Sequence, residues 1–364
     1  MRFPEFSGEW VETELQDIVP NICSGKDRIS NSGEVALYGS TGVIGRTNSA
    51  SYKENIVLVA RVGANAGQMQ IGNAPCGVTD NTLVIDAKEW NYYIYYFLQH
   101  YNLNRLVFGS GQPLITGGML KRIKVRYGCK AERNNITRLL CLIDERIATQ
   151  NKIIEKYESL IQAIIYQKKT DGMRVKSWQK TELSKVLQER NEKNIDGYVV
   201  CSVSVSQGVV NQIEYLGRSF AAKETTHYNV VKYGDIVYTK SPTGDFPYGI
   251  VKRSCIKKSV AVSPLYGVYK PICDSIGVIL HFYFMQPSNT FNYLHPLIQK
   301  GAKNTINITN ERFLKNSIPL PKTENEAICI ANTLISIQKK IDIEKKMLRS
   351  YEKEKQYLLS KMFI

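Results

Sequence analysis

Two long stretches of the chain carry apolar residues at alternating steps of three and four positions. The apolar positions of the first stretch are Ile136, Leu140, Ile143, Ile147, Ile154, Tyr157, Ile161 and Ile164. Those of the second, near the C-terminus, are Ile330, Leu334, Ile337, Ile341, Leu348, Tyr351, Leu358 and Met362. Heptads sustained in this way indicate coiled-coil helices, each about 57 Å long at a rise of 1.5 Å per residue.

The two helical stretches are copies of each other, offset by 194 residues. The paired seam positions are Ile143 and Ile337, Ile147 and Ile341, Gln150 and Glu344, Ile154 and Leu348, and Tyr157 and Tyr351. Polar residues outside the seam match as well, as Glu158 and Glu352 do. Because amphipathicity alone does not require identical polar residues, the pattern indicates an internal duplication.

The segments that precede the two helices also repeat. W-V-E-T-E-L at Trp10–Leu15 returns as W-Q-K-T-E-L at Trp178–Leu183, and Ile115 and Thr116 return as Ile308 and Thr309. The sequence therefore predicts one unit used twice. The expected boundaries are 1–131 for the first globular domain, 132–170 for the central helix, 171–322 for the second domain and 323–364 for the C-terminal helix.

Both globular segments mix short β-branched and aromatic runs with turn residues. The runs that predict strands are Ile56–Val62, Thr82–Ile85, Tyr198–Val205, Asp235–Thr239 and Val260–Tyr269. Lys88–Tyr101 is the predicted internal helix of the first segment. The expected fold class is α+β, with two mixed α/β domains that are each followed by a long helix.

Charge adds the first indication of function. The chain has 48 lysines and arginines against 33 acids, a net charge of +15. Residues 171–322 carry 20 of these basic residues and 11 acids, a net charge of +9. A surplus of this size is typical of proteins that contact nucleic acid or another anionic surface.

Several classes of protein are not expected from the sequence. The longest uncharged apolar run, Ile276–Met285, is too short to span a membrane and reads as buried core. The N-terminal residues lack an apolar signal-peptide core, so a cytoplasmic location is expected. The eight cysteines form no C-x-x-C pair, which argues for free thiols rather than a metal site or a disulfide framework.

No catalytic motif stands out. Gly244 and Gly249 have the spacing of a phosphate-binding loop, but Ile250 stands where the loop requires lysine. The N/D-P-P-Y/F motif that adenine methyltransferases use is absent, as are H-E-x-x-H and an acid cluster of nuclease type. We therefore expect a chain that is not an enzyme.

Polar and basic residues in glycine-rich loops are the candidates for DNA contact. Arginine can bind phosphate or guanine, and amide side chains suit adenine edges. The candidates in the first domain are Ser40, Thr41, Arg46, Arg61, Asn65, Ser110 and Gln112. Those in the second domain are Arg218, Lys223, Lys240, Ser241, Thr243, Lys303, Asn304 and Thr305.

Taken together, the chain resembles the specificity (S) subunits of type I restriction–modification systems. The motifs that carry the resemblance are P-E-F-S-G-E-W (Pro4–Trp10), Y-G-S-T-G-V-I-G from residue 38, G-V-T-D-N-T (Gly77–Thr82), S-G-Q-P from residue 110, G-D-I-V-Y (Gly234–Tyr238), I-P-L-P (Ile318–Pro321) and the duplicated helices. In the first half, K-V-R-Y-G (Lys124–Gly128) replaces the I-P-L-P ending.

The resemblance implies two target recognition domains, each reading one half of a split, asymmetric site in double-stranded DNA. It implies that the two helices pair as an antiparallel coiled coil with pseudo-two-fold symmetry, which sets the spacing between the half-sites. Two methyltransferase (M) subunits would dock around the helices, and restriction (R) subunits would complete the assembly. S-adenosylmethionine, ATP and Mg²⁺ are then expected on the partner subunits, and no cofactor or metal on this chain.

Two other functions are compatible with the sequence: a self-contained DNA adenine methyltransferase with atypical motifs, and a coiled-coil adapter that does not bind DNA. Methyl transfer by the isolated chain would identify the first, and partner binding without salt-sensitive DNA association the second. A further prediction concerns Gln150 and Glu344, which lie near the midpoints of their helices. In an antiparallel pair, these two polar seam residues should lie close together, where they would set the register.

Overall fold

The computed structural model describes residues 2–19, 21–107, 112–218, 221, 223–300 and 306–363. The chain divides into two compact units, here called unit 1 (Met1–Asn151 with Lys346–Ile364) and unit 2 (Lys152–Lys345). Each unit contains a mixed α/β domain and parts of two long helices. Within the described residues, no helix has the length and apolar character needed to cross a membrane.

Unit 1 is built from short strands and short helices before the first long helix. Its strands are β1 (Val11–Glu14), β2 (Ile22–Ser24), β3 (Val35–Gly39), β4 (Gly42–Thr47), β5 (Ile56–Ala60), β6 (Met69–Gly72), β7 (Cys76–Val78), β8 (Thr82–Ile85) and β9 (Lys124–Tyr127). Its helices are α1 (Leu15–Ile18), α2 (Asn91–Tyr101), α3 (Gly117–Lys121), the first half of α4 (Lys130–Arg174) and the second half of the C-terminal helix α9 (Glu324–Met362).

The core of unit 1 lies on both faces of an antiparallel sheet with the strand order β2-β8-β5-β6. All five residues of β5 are buried. Val57 and Val59 pack on the side of helix α2, whereas Ile56 and Leu58 pack against strands β3 and β7. Because neighbouring strand residues point to opposite faces, a strand buried on both sides reads as the continuous apolar run seen in the sequence.

Unit 2 repeats this plan at greater length. Its strands are β10 (Trp178–Glu182), β11 (Leu187–Glu189), β12 (Cys201–Ser204), β13 (Gly208–Asn211), β14 (Asn229–Val231), β15 (Ile236–Tyr238), β16 (Val251–Arg253), β17 (Val260–Val262), β18 (Gly267–Pro271), β19 (Gln299–Lys300), β20 (Ile306–Asn307) and β21 (Ser317–Pro321). Its helices are α5 (Gln212–Leu216), α6 (Asp274–Phe284), α7 (Pro287–Leu294), α8 (Asn310–Lys315), the second half of α4 and the first half of α9 (Glu324–Met362).

The central sheet of unit 2 has the order β11-β18-β15-β16, which corresponds strand by strand to the sheet of unit 1. The prediction of a single strand at Val260–Tyr269 is wrong. This segment forms two strands, β17 and β18, which pair with different partners, β14 and β15. The turn between them contains Pro264, which has no N–H to donate to a ladder, and is closed by a 3.0 Å hydrogen bond from Tyr266 N–H to the Ser263 carbonyl.

A second repeated feature joins each domain to the helix that follows it. In unit 1, Trp10 Nε1 donates to Glu132 Oε2 (3.2 Å), and Arg2 donates to both oxygens of the same carboxylate (2.6 and 2.8 Å). In unit 2, Trp178 Nε1 donates to Glu326 Oε1 (2.7 Å). Glu132 and Glu326 are related by the helix offset, so the duplication extends to this contact, here called the Trp–Glu joint.

The strand that precedes each long helix is also equivalent in the two units. Strand β9 pairs antiparallel with β1 in unit 1, and β21 pairs antiparallel with β10 in unit 2. K-V-R-Y in the first half therefore takes the same structural place as I-P-L-P in the second. The departure in sequence leaves the antiparallel pairing in place, because the ladder is formed by backbone groups.

The long helices contact each other within each unit. In unit 1, Asp144 of α4 pairs with Lys355 of α9 at 2.7 Å, while Arg146 lies over Tyr351. Partner numbers fall along α9 as they rise along α4, so these segments run antiparallel. In unit 2, Lys345 pairs with Glu158 at 2.7 Å.

The predicted seam residues are buried or half-buried. Buried ones are Ile143, Gln150, Ile154 and Ile341, and half-buried ones are Ile147, Tyr157, Ile337, Glu344, Leu348 and Tyr351. At the end of α4, Ile165 is buried rather than the predicted Ile164. An α-helix has 3.6 residues per turn, so its buried face shifts gradually relative to a strict 3.5-residue repeat. The proximity of Gln150 and Glu344 stays a prediction.

Candidate nucleic-acid interface

Four loops of unit 1 converge on one edge of the domain. They are the β3–β4 turn at 40–41, the β5–β6 loop at 61–68, the turn at 79–81 and the segment 112–115 before α3. The Asn81 carbonyl accepts hydrogen bonds from Ser40 Oγ and from the Arg61 backbone N–H, both at 3.0 Å. Gly63 N–H donates to the Pro113 carbonyl at 3.0 Å, and Val62 forms a β-bridge with Leu114.

These contacts bring several predicted DNA-binding residues onto adjacent loops. Ser40 and the exposed Thr41 lie in the first loop, Arg61 and the half-buried Asn65 in the second, and the exposed Gln112 in the last. Residues that are far apart in sequence thus form one polar surface. Ser110 lies outside the described residues.

Arg61 is the cation at the centre of this surface. Its side chain is half-buried, and Nη1 donates to Ser24 Oγ at 3.3 Å. Within the part of the chain that the structure describes, Nε is buried with no hydrogen-bond partner, and no carboxylate oxygen lies within 4.0 Å. A partly buried guanidinium without a counter-ion is suited to an anionic ligand such as a phosphate group.

Arg46 lies on the outer side of the same region. It is exposed on strand β4, and its Nη1 donates to the Glu34 carbonyl at 2.5 Å. That contact satisfies one of its five N–H donors, so the remaining guanidinium edge stays available to solvent or to a ligand.

In unit 2, the predicted residues Lys240, Ser241 and Thr243 lie in the loop between β15 and β16. This loop has the same place in the central sheet as the Arg61 loop has in unit 1. Lys240 adopts a left-handed backbone (φ +60°), and burial lowers the pKa of its ammonium group. Ser241 and Thr243 are exposed, and Thr243 exchanges two 3.0 Å backbone hydrogen bonds with Phe246.

The other predicted residues of unit 2 have different positions. Arg218 and Lys223 follow the short helix α5, and both side chains are exposed. Lys303, Asn304 and Thr305 lie outside the described residues. The segment that follows them continues into α8, whose N-cap Thr309 corresponds to Thr116, the N-cap of α3.

Sequence reasoning missed Asn81 and Gln70. Asn81 is exposed at the turn that receives the Ser40 and Arg61 hydrogen bonds, and Gln70 Nε2 donates to the Gly39 carbonyl at 2.7 Å. Asn81 belongs to the G-V-T-D-N-T motif, whose turn composition was the available signal. No sequence signal marked Gln70, because its hydrogen bond to Gly39 joins strands of two different sheets.

A buried basic cluster in unit 2 was also missed. Lys252 is buried on strand β16, and burial lowers its pKa to about 8. His281 Nδ1 accepts a 3.2 Å hydrogen bond from Arg253 N–H, and burial, with the nearby charges of Lys252 and Arg253, lowers the pKa of the imidazole. His281 therefore serves as a neutral acceptor rather than as a cation.

Comparison with known proteins supports the resemblance to type I specificity subunits. The family model of the type I restriction modification DNA specificity domain matches residues 7–159. A comparison with curated proteins found no match.

A solved structure shares the fold over nearly the whole chain. The crystal structure of the S subunit of a type I restriction-modification system from M. genitalium has a TM-score of 0.67 at 14% identity, covering 98% of this chain and 96% of that one. The HsdS subunit from Thermoanaerobacter tengcongensis has a TM-score of 0.36 at 12% identity, covering 97% and 96%. At these identities, the similarity to the M. genitalium subunit shows a shared fold only. The TM-score of the second structure is too low to support any conclusion. The family match and the shared fold confirm the resemblance to type I specificity subunits.

Proposed function

We propose that this chain, whose residues 7–159 match the type I specificity domain, is the DNA sequence-specificity subunit of a type I restriction–modification complex. In this proposal each unit reads one half of a bipartite, asymmetric site. The helix pair sets the spacing between the half-sites and docks two methyltransferase subunits. The chain itself catalyses no reaction and binds no cofactor. Partner M and R subunits use S-adenosylmethionine, ATP and Mg²⁺, and the complex acts on DNA in the cytoplasm.

The observation that supports this most strongly is the structural duplication. The family match covers the first domain and part of α4 only. The second domain has the same order of strands in its central sheet, the same Trp–Glu joint and an equivalent loop with exposed polar residues. A DNA-reading role assigned to the first domain therefore extends to the second by internal equivalence.

The proposal is tested by sequencing methylated adenines in the DNA of a host that expresses the partner methyltransferase, with and without this chain. A split motif should be methylated only when the chain is present. Replacing residues 38–46 with the corresponding segment of another specificity subunit should change one half of that motif and leave the other half and the spacing intact.

The control is the same replacement made at residues 240–249 of unit 2, which should change the other half only. If no motif appears although the two proteins are produced and associate, the specificity role is wrong. The chain would then be a protein-binding adapter.

A further inference from the structure

The hairpin of β3 and β4 contains an irregularity next to its turn. Its register passes from Tyr38 opposite Val43 to Leu37 opposite Gly45, which leaves Ile44 as an extra residue on β4. Such a β-bulge bends a strand and redirects the side chains beside it, and bulges are common next to binding sites.

The bulge presents branched apolar side chains to solvent. Val43 is 57% exposed, Ile44 47% and Ile29, from the neighbouring segment, 61%. Ile44 lies against Gly39, where a Cβ would come within 2.9 Å of Ile44 Cγ2, and Ile29 lies beside Gly45 at 3.5 Å from the position of a Cβ. Ile29 and Ile44 therefore lie over glycines of the hairpin, and together with Val43, the exposed residue that precedes Ile44, they are here called the hairpin patch. Adjacent exposed aliphatic side chains indicate a contact surface.

The rim of the hairpin patch is cationic. Ser30 N–H donates to the Arg46 carbonyl at 2.8 Å, which places Arg28 near strand β4, whereas Lys26 lies nearer strand β7, where Asp27 N–H donates to the Val78 carbonyl. Among the described residues, Lys26, Arg28 and Arg46 form no ion pair. An apolar surface next to cations without carboxylate partners complements a polyanion, whereas an apolar protein surface would gain little from them.

We infer that the hairpin patch reads thymine, through apolar contact with C5-methyl groups in the major groove of the half-site that unit 1 binds. This inference rests on the proposed function. The major groove admits a two-stranded β-ribbon, and the thymine methyl is the one apolar group that a base edge presents there. Lys26, Arg28 and Arg46 contact phosphates on either side of the groove.

Deoxyuridine provides the direct test, because it pairs like thymidine but lacks the methyl group. The complex of this chain with its partner methyltransferase is titrated with duplexes of the recognised site in which each thymidine is replaced in turn. We expect one or two positions, all in one half-site, to weaken binding by about four-fold for each methyl group removed.

Variants then assign the effect to the patch. In Val43→Thr and Ile44→Thr, which keep a β-branched residue in the strand, the thymidine and deoxyuridine duplexes should bind equally at those positions. Ile29→Thr, outside the sheet, provides a variant that does not depend on strand stability. Val199→Thr is the matched control, since Val199 is exposed to the same extent (56%) but lies in unit 2. Val199→Thr should keep the wild-type ratio of thymidine to deoxyuridine affinity.

Two results would overturn the inference while leaving the proposed function in place. In one, the wild-type complex binds its site specifically but tolerates deoxyuridine at every position. In the other, the hairpin variants assemble with the methyltransferase and keep the wild-type ratio of thymidine to deoxyuridine affinity. Loss of sequence-specific binding by the wild-type complex itself would instead contradict the proposed function, and the inference with it.

Discussion

The side chain of Arg61 is half-buried in unit 1, and its backbone is held by hydrogen bonds with Asn81 and Ile115. Its side chain has a hydroxyl partner, Ser24, but no carboxylate within the described residues. At the scale of single residues, Arg61 thus differs from Arg190, whose guanidinium pairs with Asp235 at 2.6 Å.

We expect Arg61→Ala to weaken DNA binding and to reduce the slope of log K against log salt by about 1, because one phosphate contact is lost. Fluorescence anisotropy between 50 and 300 mM salt would measure both quantities. Arg126→Ala, an exposed arginine of strand β9, is the control. Equal slopes for wild type and Arg61→Ala would show that Arg61 does not contact phosphate.

His281 predicts a pH dependence of stability. Its pKa is lowered in the folded chain, so the unfolded chain binds more protons once the pH falls below about 6.5. The free energy of unfolding should therefore decrease on acidification below that pH, by up to about 1.4 kcal/mol per pH unit. Above that pH this contribution is fully present.

His281→Asn, whose amide oxygen can accept the same Arg253 N–H, should show less of this decrease. Urea unfolding followed at pH 7.5 and pH 5.0 provides the measurement, with the exposed His227→Asn as the control. An unchanged pH dependence in His281→Asn would assign the acid sensitivity to other groups.

At the scale of elements, the Trp–Glu joints connect each domain to its helix. Trp178 is 3% exposed, and its only polar atom donates to a carboxylate on the first turn of α9. Such a contact fixes the angle at which the domain meets its helix.

Trp178→Phe should lower the free energy of unfolding by about 1.5–3 kcal/mol, the usual contribution of a hydrogen bond to a charged group. A double-mutant cycle with Glu326→Ala, which removes the acceptor, followed by urea denaturation, separates the hydrogen bond from the packing of the ring. Additive effects of the two substitutions would show that the joint is a packing contact only.

At the scale of the whole molecule, charge is distributed unevenly between two domains of the same design. Residues 171–322 have a net charge of +9, whereas residues 1–131 hold 13 basic residues and 11 acids, a net charge of +2. The domain with the larger charge should depend more on phosphate attraction.

We therefore expect the half-site read by unit 2 to show the steeper salt dependence. Duplexes in which one half-site is scrambled at a time, titrated against the complex at increasing salt, would measure the two slopes separately. Lys252→Met, a buried site, should leave the slope of unit 2 unchanged, whereas Lys240→Met should reduce it. Equal slopes for the two half-sites would mean that the excess charge lies away from the DNA.

The sequence by itself determined the features that depend on periodicity. The heptads predicted both long helices, the continuous apolar run predicted β5, and the repeated W-x-x-T-E-L motif predicted two equivalent domains. These patterns are local or recur at a fixed offset, so burial on one face of a helix or on both faces of a strand is visible in the order of residues.

Only the tertiary structure decided which loops form one surface. Ser40, Arg61 and Asn81 meet because strands β3 and β5 end, and strand β8 begins, at the same edge, a consequence of strand order that the spacing of residues does not encode. It also decided that Val260–Tyr269 divides between two sheets, and that Val43 and Ile44 are exposed. An apolar residue is assigned to the core from sequence by default. A one-residue bulge is enough to turn it outward, because it shifts the register of the strand without changing its composition.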